Sequence, residues 1–222
     1  MSKQPVVIIG SSGHAKVVID IFEKQGTCEI ISLLGEEKNI GSECLGYSVT
    51  GTEESIPKIL SKHPSCKAFV AIGDNHVRQK VTAKLLSISP TLEFAIAIHP
   101  SAQIGRNVHI GNGTAVMAGA IVNSGTTIAD GCIVNTSASV DHDCNIGEYS
   151  AILPGATIGG NVIIGSSSVV CIGAVVKQGI VIGNNTVIGA GALLLENLGD
   201  NVLAYGSPAK VVKSRVLGER YL

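Results

Sequence analysis

Residues 104–127 read IGRNVH IGNGTA VMAGAI VNSGTT when cut every six residues, and each cut begins on Ile or Val. Counting in sixes from Ile98 passes through Ile104, Ile110, Val116 and Val122 and ends at Ile188 and Leu194, seventeen aliphatic positions without a slip. Neither the 3.6-residue period of a helix nor the two-residue period of a flat strand gives this spacing. Four residues after most of these positions stands a small residue, among them Thr114, Ala120, Thr126, Cys132, Ala138, Cys144, Ser150 and Ala156. Such a unit is one short strand plus a bend. Three units close a triangular coil of eighteen residues, with the aliphatic side chains stacked along the axis. The repeat predicts a left-handed parallel β-helix domain with a C-terminal tail over residues 98–222. Its exposed faces and ends call for caps or partners, so an oligomer, most simply a homotrimer, is expected.

Residues 1–97 lack the period. Val6 to Ile9 is a short apolar run ending in Gly10-Ser11-Ser12-Gly13-His14, after which Val17, Val18, Ile21 and Phe22 recur at helical spacing. Strands are expected at 30–34, 68–72 and 94–98, and helices at 53–61 and 76–86. Alternating strand and helix predicts a small Rossmann-like α/β domain, so the fold class is mixed, α/β followed by β-helix. The boundary falls near Ile98-His99-Pro100.

Composition excludes several classes of function. Net charge is −1, and with no Trp, three Phe and four Tyr there is neither a basic footprint nor a set of stacking platforms for nucleic acid. No segment approaches the roughly 18 apolar residues of a membrane span, so a cytoplasmic protein without membrane contact is expected. The six cysteines show no C-x-x-C spacing and read as small buried residues or bystanders.

Two places carry chemistry. The Gly10 to Gly13 turn leaves backbone N–H groups free at a helix N-terminus, where phosphate oxygens can bind. Gly73-Asp74-Asn75 follows another strand at the same edge of the sheet. The second place is Asp141-His142-Asp143, an imidazole between two carboxylates in an otherwise apolar prism. A metal site needs three or four convergent ligands; positions five away from His142 are Ser137 and Gly147, and His109 is 33 residues off, which is not a multiple of eighteen. No metal is expected. The remaining readings are a polar outer turn and a general base whose ring is held by a carboxylate, either Asp143 or Asp141.

Gly10-Ser11-Ser12-Gly13-His14-Ala15-Lys16, Ile72-Gly73-Asp74-Asn75 with Arg78, Ile98-His99-Pro100, Asn135-Thr136, Val140 to Cys144, and Gly206-Ser207-Pro208-Ala209-Lys210 together resemble the bacterial sugar acetyltransferases grouped with the sialic acid O-acetyltransferase NeuD. Members act on UDP-linked 4-amino sugars and on GDP-perosamine. The resemblance implies a homotrimer binding acetyl-CoA in clefts between subunits and a nucleotide-sugar in the N-terminal domain. It assigns His142 as base, Asp143 as its acidic partner and Asn135 as a nearby polar group. Ser12, Gly13, His14, Glu36, Asp74 and Asn75 would meet the nucleotide-sugar, and Gly160, Ile172, Gly173, Ala190 and Lys210 the coenzyme. The chain departs from the pattern twice. Relatives acting on UDP-sugars often carry Asp-Asp where Glu36-Glu37 stands, and some place a histidine nine residues after the base, where Ala151 stands. The function implied is acetyl-CoA-dependent N-acetylation of a nucleotide-linked amino sugar. Sugar O-acetylation and a non-catalytic trimeric scaffold are the alternatives.

Overall fold

The computed structural model describes residues 3–220. The chain divides into two compact units after Pro100.

The first unit is built on β1 (Gln4–Ile9), α1 (Gly13–Gln25), β2 (Cys28–Leu34), β3 (Glu43–Cys44), β4 (Tyr47–Gly51), α2 (Ile56–Lys62), β5 (Lys67–Val70) and α3 (Asn75–Ile88). The strand order is β3-β4-β2-β1-β5, parallel except for the edge strand β3. Val6, Val7, Ile8 and Ile9 of the central strand are at most 1% exposed, which is why that run is apolar throughout rather than alternating. On α1, Ala15, Val18, Ile19 and Phe22 form a buried stripe, with the Phe22 ring edge-on to Phe69 of β5 at 5.4 Å between centroids. Val7, Ile9, Leu34, Ala68 and Val70 instead pack with Ile56 of α2 and Leu85 of α3.

Three details differ from the expectation. The hairpin β3–β4 was not legible, because only Cys44, Val49 and Gly51 of it are buried, so no apolar alternation marks it. Its turn is set by Leu45 and Gly46, both at positive φ, as a tight two-residue hairpin requires. The strand expected at 94–98 reduces to one bridge at Phe94 and a two-residue strand, Ala97–Ile98. The helix expected from residue 53 begins with a 3-10 turn, Glu53–Ser55, before α2.

The second unit is the predicted coil. Its strands are two residues long and pair in parallel with strands eighteen residues on, as in Val122↔Val140 and Val140↔Ile158. Val122, Val140, Ile158 and Val176 point inward and are at most 1% exposed. Every sixth residue from Asn107 to Gly191 takes a positive φ. The bend therefore demands a left-handed residue once per hexad, and Gly, Asn, Asp and Ser hold it at every turn but Tyr149.

The small positions form three interior columns, one per edge of the prism. One is all alanine (Ala120, Ala138, Ala156, Ala174, Ala192) and another is all hydroxyl or thiol (Thr114, Cys132, Ser150, Ser168, Thr186). In the second, Ser150 Oγ donates to Gly165 O at 2.8 Å and accepts the Ser168 N–H at 3.1 Å; Ser168 repeats the pattern one coil on. These buried hydroxyls satisfy backbone groups that the bend strips of strand partners. Cys132 belongs to the same ladder, its Sγ donating to Gly147 O at 3.1 Å, so it is a ladder member rather than a bystander. The coil closes on Val202–Gly206, which pairs with Val187–Ile188 and turns back antiparallel into Ala209–Ser214. Among the described residues no helix is long and apolar enough to cross a membrane.

Candidate active site

The third interior column runs Val108, Thr126, Cys144, Val162 and Ile180, and the turn Asp141–Cys144 crosses the corresponding edge. Val140 and Ile146 anchor the turn on either side as buried side chains. Asp143 holds the left-handed position, φ 56°, which folds its carboxylate back to its neighbour: Oδ2 lies 2.8 Å from His142 Nδ1. Asp141 does something different. Its Oδ1 accepts the backbone N–H of His142 at 2.8 Å and the Asn123 side-chain amide at 2.8 Å. The alternative left open by the sequence is thus resolved by division of labour: Asp143 orients the ring and Asp141 the backbone beneath it.

The imidazole lies against Gly160, one coil on. A Cβ added at Gly160 would stand 2.6 Å from His142 Nε2 and 2.8 Å from Cε1, so the ring occupies space that any other residue would fill. Asp143 is seated likewise, over Gly125, where a Cβ would stand 2.4 Å from Oδ1. With Nδ1–H donating to Asp143, Nε2 of the neutral ring carries the lone pair. The bond to Asp143, then the charge of Asp141, raise the His142 pKa above its ordinary value, opposed by slight desolvation. The ring is a base strengthened by a carboxylate, open to solvent on one side. Among the described residues no three His, Cys, Asp or Glu side chains gather as a metal site.

Asn135 does not join this group. It stands on the alanine edge, its Oδ1 accepting the Thr136 N–H at 2.7 Å, so Asn135 and His142 flank opposite ends of the strand Ser139–Val140. Ile172, Gly173 and Ala190 also lie on the alanine edge, Ile172 and Ala190 one coil apart. Ile172 is 55% exposed. Gly160 lies on the His142 edge. Within one chain the candidate coenzyme residues therefore divide between two edges of the prism, separated by a flat face. Lys210, on the terminal hairpin, is exposed and 3.9 Å from Glu196.

In the first unit, the loops after β1, β2 and β5 meet at the carboxyl edge of the sheet. Gly10 has φ 120°, and a Cβ there would stand 2.8 Å from Ala71 O, so only glycine permits the approach. Gly35 approaches the Ser11 hydroxyl and Gly73 the ring of His14. The Arg78 side chain, buried in α3, donates to Ile72 O and Gly73 O at 2.9 Å each and to Asn75 Oδ1 at 2.7 Å. Asn75 is thereby held inside the loop, and Asp74 caps α3 by accepting the Val77 N–H. Burial, then the Arg78 charge, push the His14 pKa down to about 4, so this imidazole is neutral, and its buried Nε2 has no hydrogen-bond partner among the described residues. Ser12 is exposed at the start of α1, and Glu36, paired with Lys38, is exposed on the β2 loop. His76, which the sequence reading missed, also buries a ring nitrogen, Nδ1, that has no partner among the described residues. Its place as the second residue of α3 was the available signal.

Residues 5–85 match the PglD N-terminal domain model. The chain is 32% identical over 114 residues to the UDP-N-acetylbacillosamine N-acetyltransferase of Bacillus subtilis, a match spanning 51% of either chain. The acetyltransferase domain of PglB from Neisseria gonorrhoeae is 33% identical, with 95% of this chain and 100% of that chain covered and a TM-score of 0.85. The chain belongs to the NeuD-like family of sugar acetyltransferases. PerB from Caulobacter crescentus, solved with CoA and GDP-perosamine, is 38% identical over 94% of this chain and 97% of its own, with a TM-score of 0.85. That protein has also been solved with one histidine replaced by Asn or Ala, again with CoA and GDP-perosamine. The chain thus spans about half the length of the curated Bacillus relative it matches and nearly all of the two solved ones. The first unit is Rossmann-like and the second a left-handed parallel β-helix.

Proposed function

We propose that the protein is an acetyl-CoA-dependent N-acetyltransferase acting on the amino group of a nucleotide-linked amino sugar, with His142 as general base. The observation that carries this reading is the His142 ring, tied through Nδ1 to Asp143 at 2.8 Å and presenting Nε2 over Gly160. The sugar amine attacks the thioester carbonyl, Nε2 takes the amine proton as the C–N bond forms, and CoA leaves as thiolate. We assign the oxyanion to the backbone N–H of Gly160, the residue against which the ring lies. Cys144 takes no covalent part: it is buried, its thiol donates to Gly159 O, and desolvation raises its pKa.

Residues 98–222 carry this chemistry in our reading, and residues 1–97 hold the nucleotide-sugar. Ser12, Gly13 and His14 face it with Glu36 and the Asp74-Asn75 loop. A neutral His14 offers its orphan Nε2 as a hydrogen-bond partner rather than as a cation. Acetyl-CoA spans Gly160, Ile172, Gly173, Ala190 and Lys210. The two-edge distribution of these residues favours a homotrimer, in which one subunit's His142 edge lies beside a neighbour's alanine edge, bringing Asn135 to the same cleft. Its substrates and six free cysteines suit the cytoplasm. The Caulobacter relative, a perosamine N-acetyltransferase, favours an amine over a hydroxyl acceptor. The Caulobacter protein holding both ligands with a histidine replaced fits a residue needed for chemistry rather than for binding.

The test is CoA release from acetyl-CoA with a panel of nucleotide-linked 4-amino sugars and their hydroxyl analogues. Turnover on an amino sugar, lowered at least about a hundredfold in His142→Ala, is expected. Activity on hydroxyl analogues alone, or near-normal turnover without His142, overturns the reading.

A further inference from the structure

Two side chains one coil before His142 reach up to its turn. Thr126 is fully buried; its hydroxyl donates to Asp141 O at 2.7 Å and accepts the Cys144 N–H at 3.1 Å. One side chain thus holds both ends of the four-residue turn. Asn123 lies outside, donating to the Asp141 Oδ1 that also accepts the His142 N–H. From the other side, the Cys144 thiol ties the turn to Gly159 O at 3.2 Å, next to the glycine on which the ring rests.

The composition of this edge gives the arrangement its meaning. Along the hydroxyl edge every tier from Thr114 to Thr186 is polar, and the ladder there serves the coil as a whole. On the His142 edge the column is apolar at Val108, Val162 and Ile180 and polar only at Thr126 and Cys144. The coil tolerates aliphatic residues at this corner, so its general stability does not require a hydroxyl there. The polar pair stands only where the His142 turn is gripped. The ring itself is exposed, its side chain 53% accessible, so packing alone does not fix the origin from which it projects.

We infer that Thr126 and Asn123 are positioning residues for His142, fixing through Asp141 and Cys144 the turn that aims Nε2. The inference rests on His142 being the general base. It extends that reading to two residues that touch no reacting atom. A shift of about 1 Å at a reacting group costs up to a hundredfold in rate, which sets the scale of the effect.

The experiment compares Thr126→Val, which keeps the volume and removes both hydrogen bonds, with Thr126→Ser, which restores the hydroxyl. Ser150→Ala, which removes the equivalent buried hydroxyl from the ladder of another edge, is the control. Thr126→Val is expected to lower kcat roughly tenfold to a hundredfold with KM for both substrates little changed, whereas Thr126→Ser and Ser150→Ala remain within about twofold of the parent. In a His142→Ala background, Thr126→Val should change the residual rate no further. Full kcat in Thr126→Val while His142→Ala is inactive overturns the inference, as does an equal loss in the His142→Ala background. Near-normal turnover in His142→Ala overturns the general-base reading instead. Should Thr126→Val fail to fold, exposed Asn123→Ala decides: a lowered kcat with an altered pH profile supports positioning, and an unchanged enzyme overturns it.

Discussion

Replacing Gly160 by Ala tests the placement of the His142 ring most directly. Gly160 has no positive φ, so an alanine is compatible with its backbone, but the new Cβ would stand 2.6 Å from Nε2. Ordinary contact begins near 3.4 Å, so the ring must give way by about 0.8 Å, the difference between the two. His142 is a half-exposed side chain, not backbone, and it can swing outward at small cost in stability. Losing a glycine even favours folding by about 0.4–1 kcal/mol through the unfolded chain. The displaced Nε2 leaves the line of attack, for which roughly tenfold to a hundredfold in kcat is the expected loss, or about 1.4–2.7 kcal/mol of transition-state stabilisation. The assay pairs steady-state CoA release with thermal unfolding: kcat falls while the midpoint holds or rises. Because Gly160 is also a candidate coenzyme contact, the substitution is repeated on His142→Ala, where it should cost little more. A Gly160→Ala enzyme with full kcat, or with the same loss whether or not His142 is present, would refute the reasoning.

Asp143→Asn removes the largest upward influence on the His142 pKa. A base must be unprotonated, so kcat/KM falls as pH drops through that pKa, and the acid limb of the profile should move to lower pH in the variant as its maximum declines; an unmoved limb would count against the pair. His14 gives the opposite sign. Its pKa falls from 6.5 to about 4 on folding, so the unfolded chain takes up a proton that the folded one refuses as pH drops below 6.5. Stability from this group is intact above pH 7 and should fall by roughly 2 kcal/mol by pH 5. Urea unfolding at pH 7 and pH 5 checks this, with His14→Asn showing a smaller drop; equal drops would rule out His14 as the source.

Part of the site is legible in the sequence through the coil length. His142 and Gly160 are eighteen residues apart, as are Thr126 and Cys144, and Gly125 and Asp143; each pair is in contact or shares a hydrogen bond. The coil length alone would have named these partners. The hairpin at Glu43–Gly51 was not readable, because an edge strand with one covered face carries too few apolar residues to set a period. Nor did any local signal mark Arg78 as the post that holds the β5 loop, since a lone arginine on a helix ordinarily reads as surface.

The sequence by itself determined the coil, because its requirements are local and repeat: one aliphatic residue inward, one small residue at the corner and one left-handed bend per hexad, each read within six residues. It determined also that a strand–turn–helix with glycines opens the chain. Only the tertiary structure decided which carboxylate grips the ring and which the backbone, that Nε2 is the nitrogen left over, and that His14 stays neutral. Those outcomes depend on rotamers and desolvation set by groups a full coil or a whole sheet away, and no stretch of neighbouring residues encodes them.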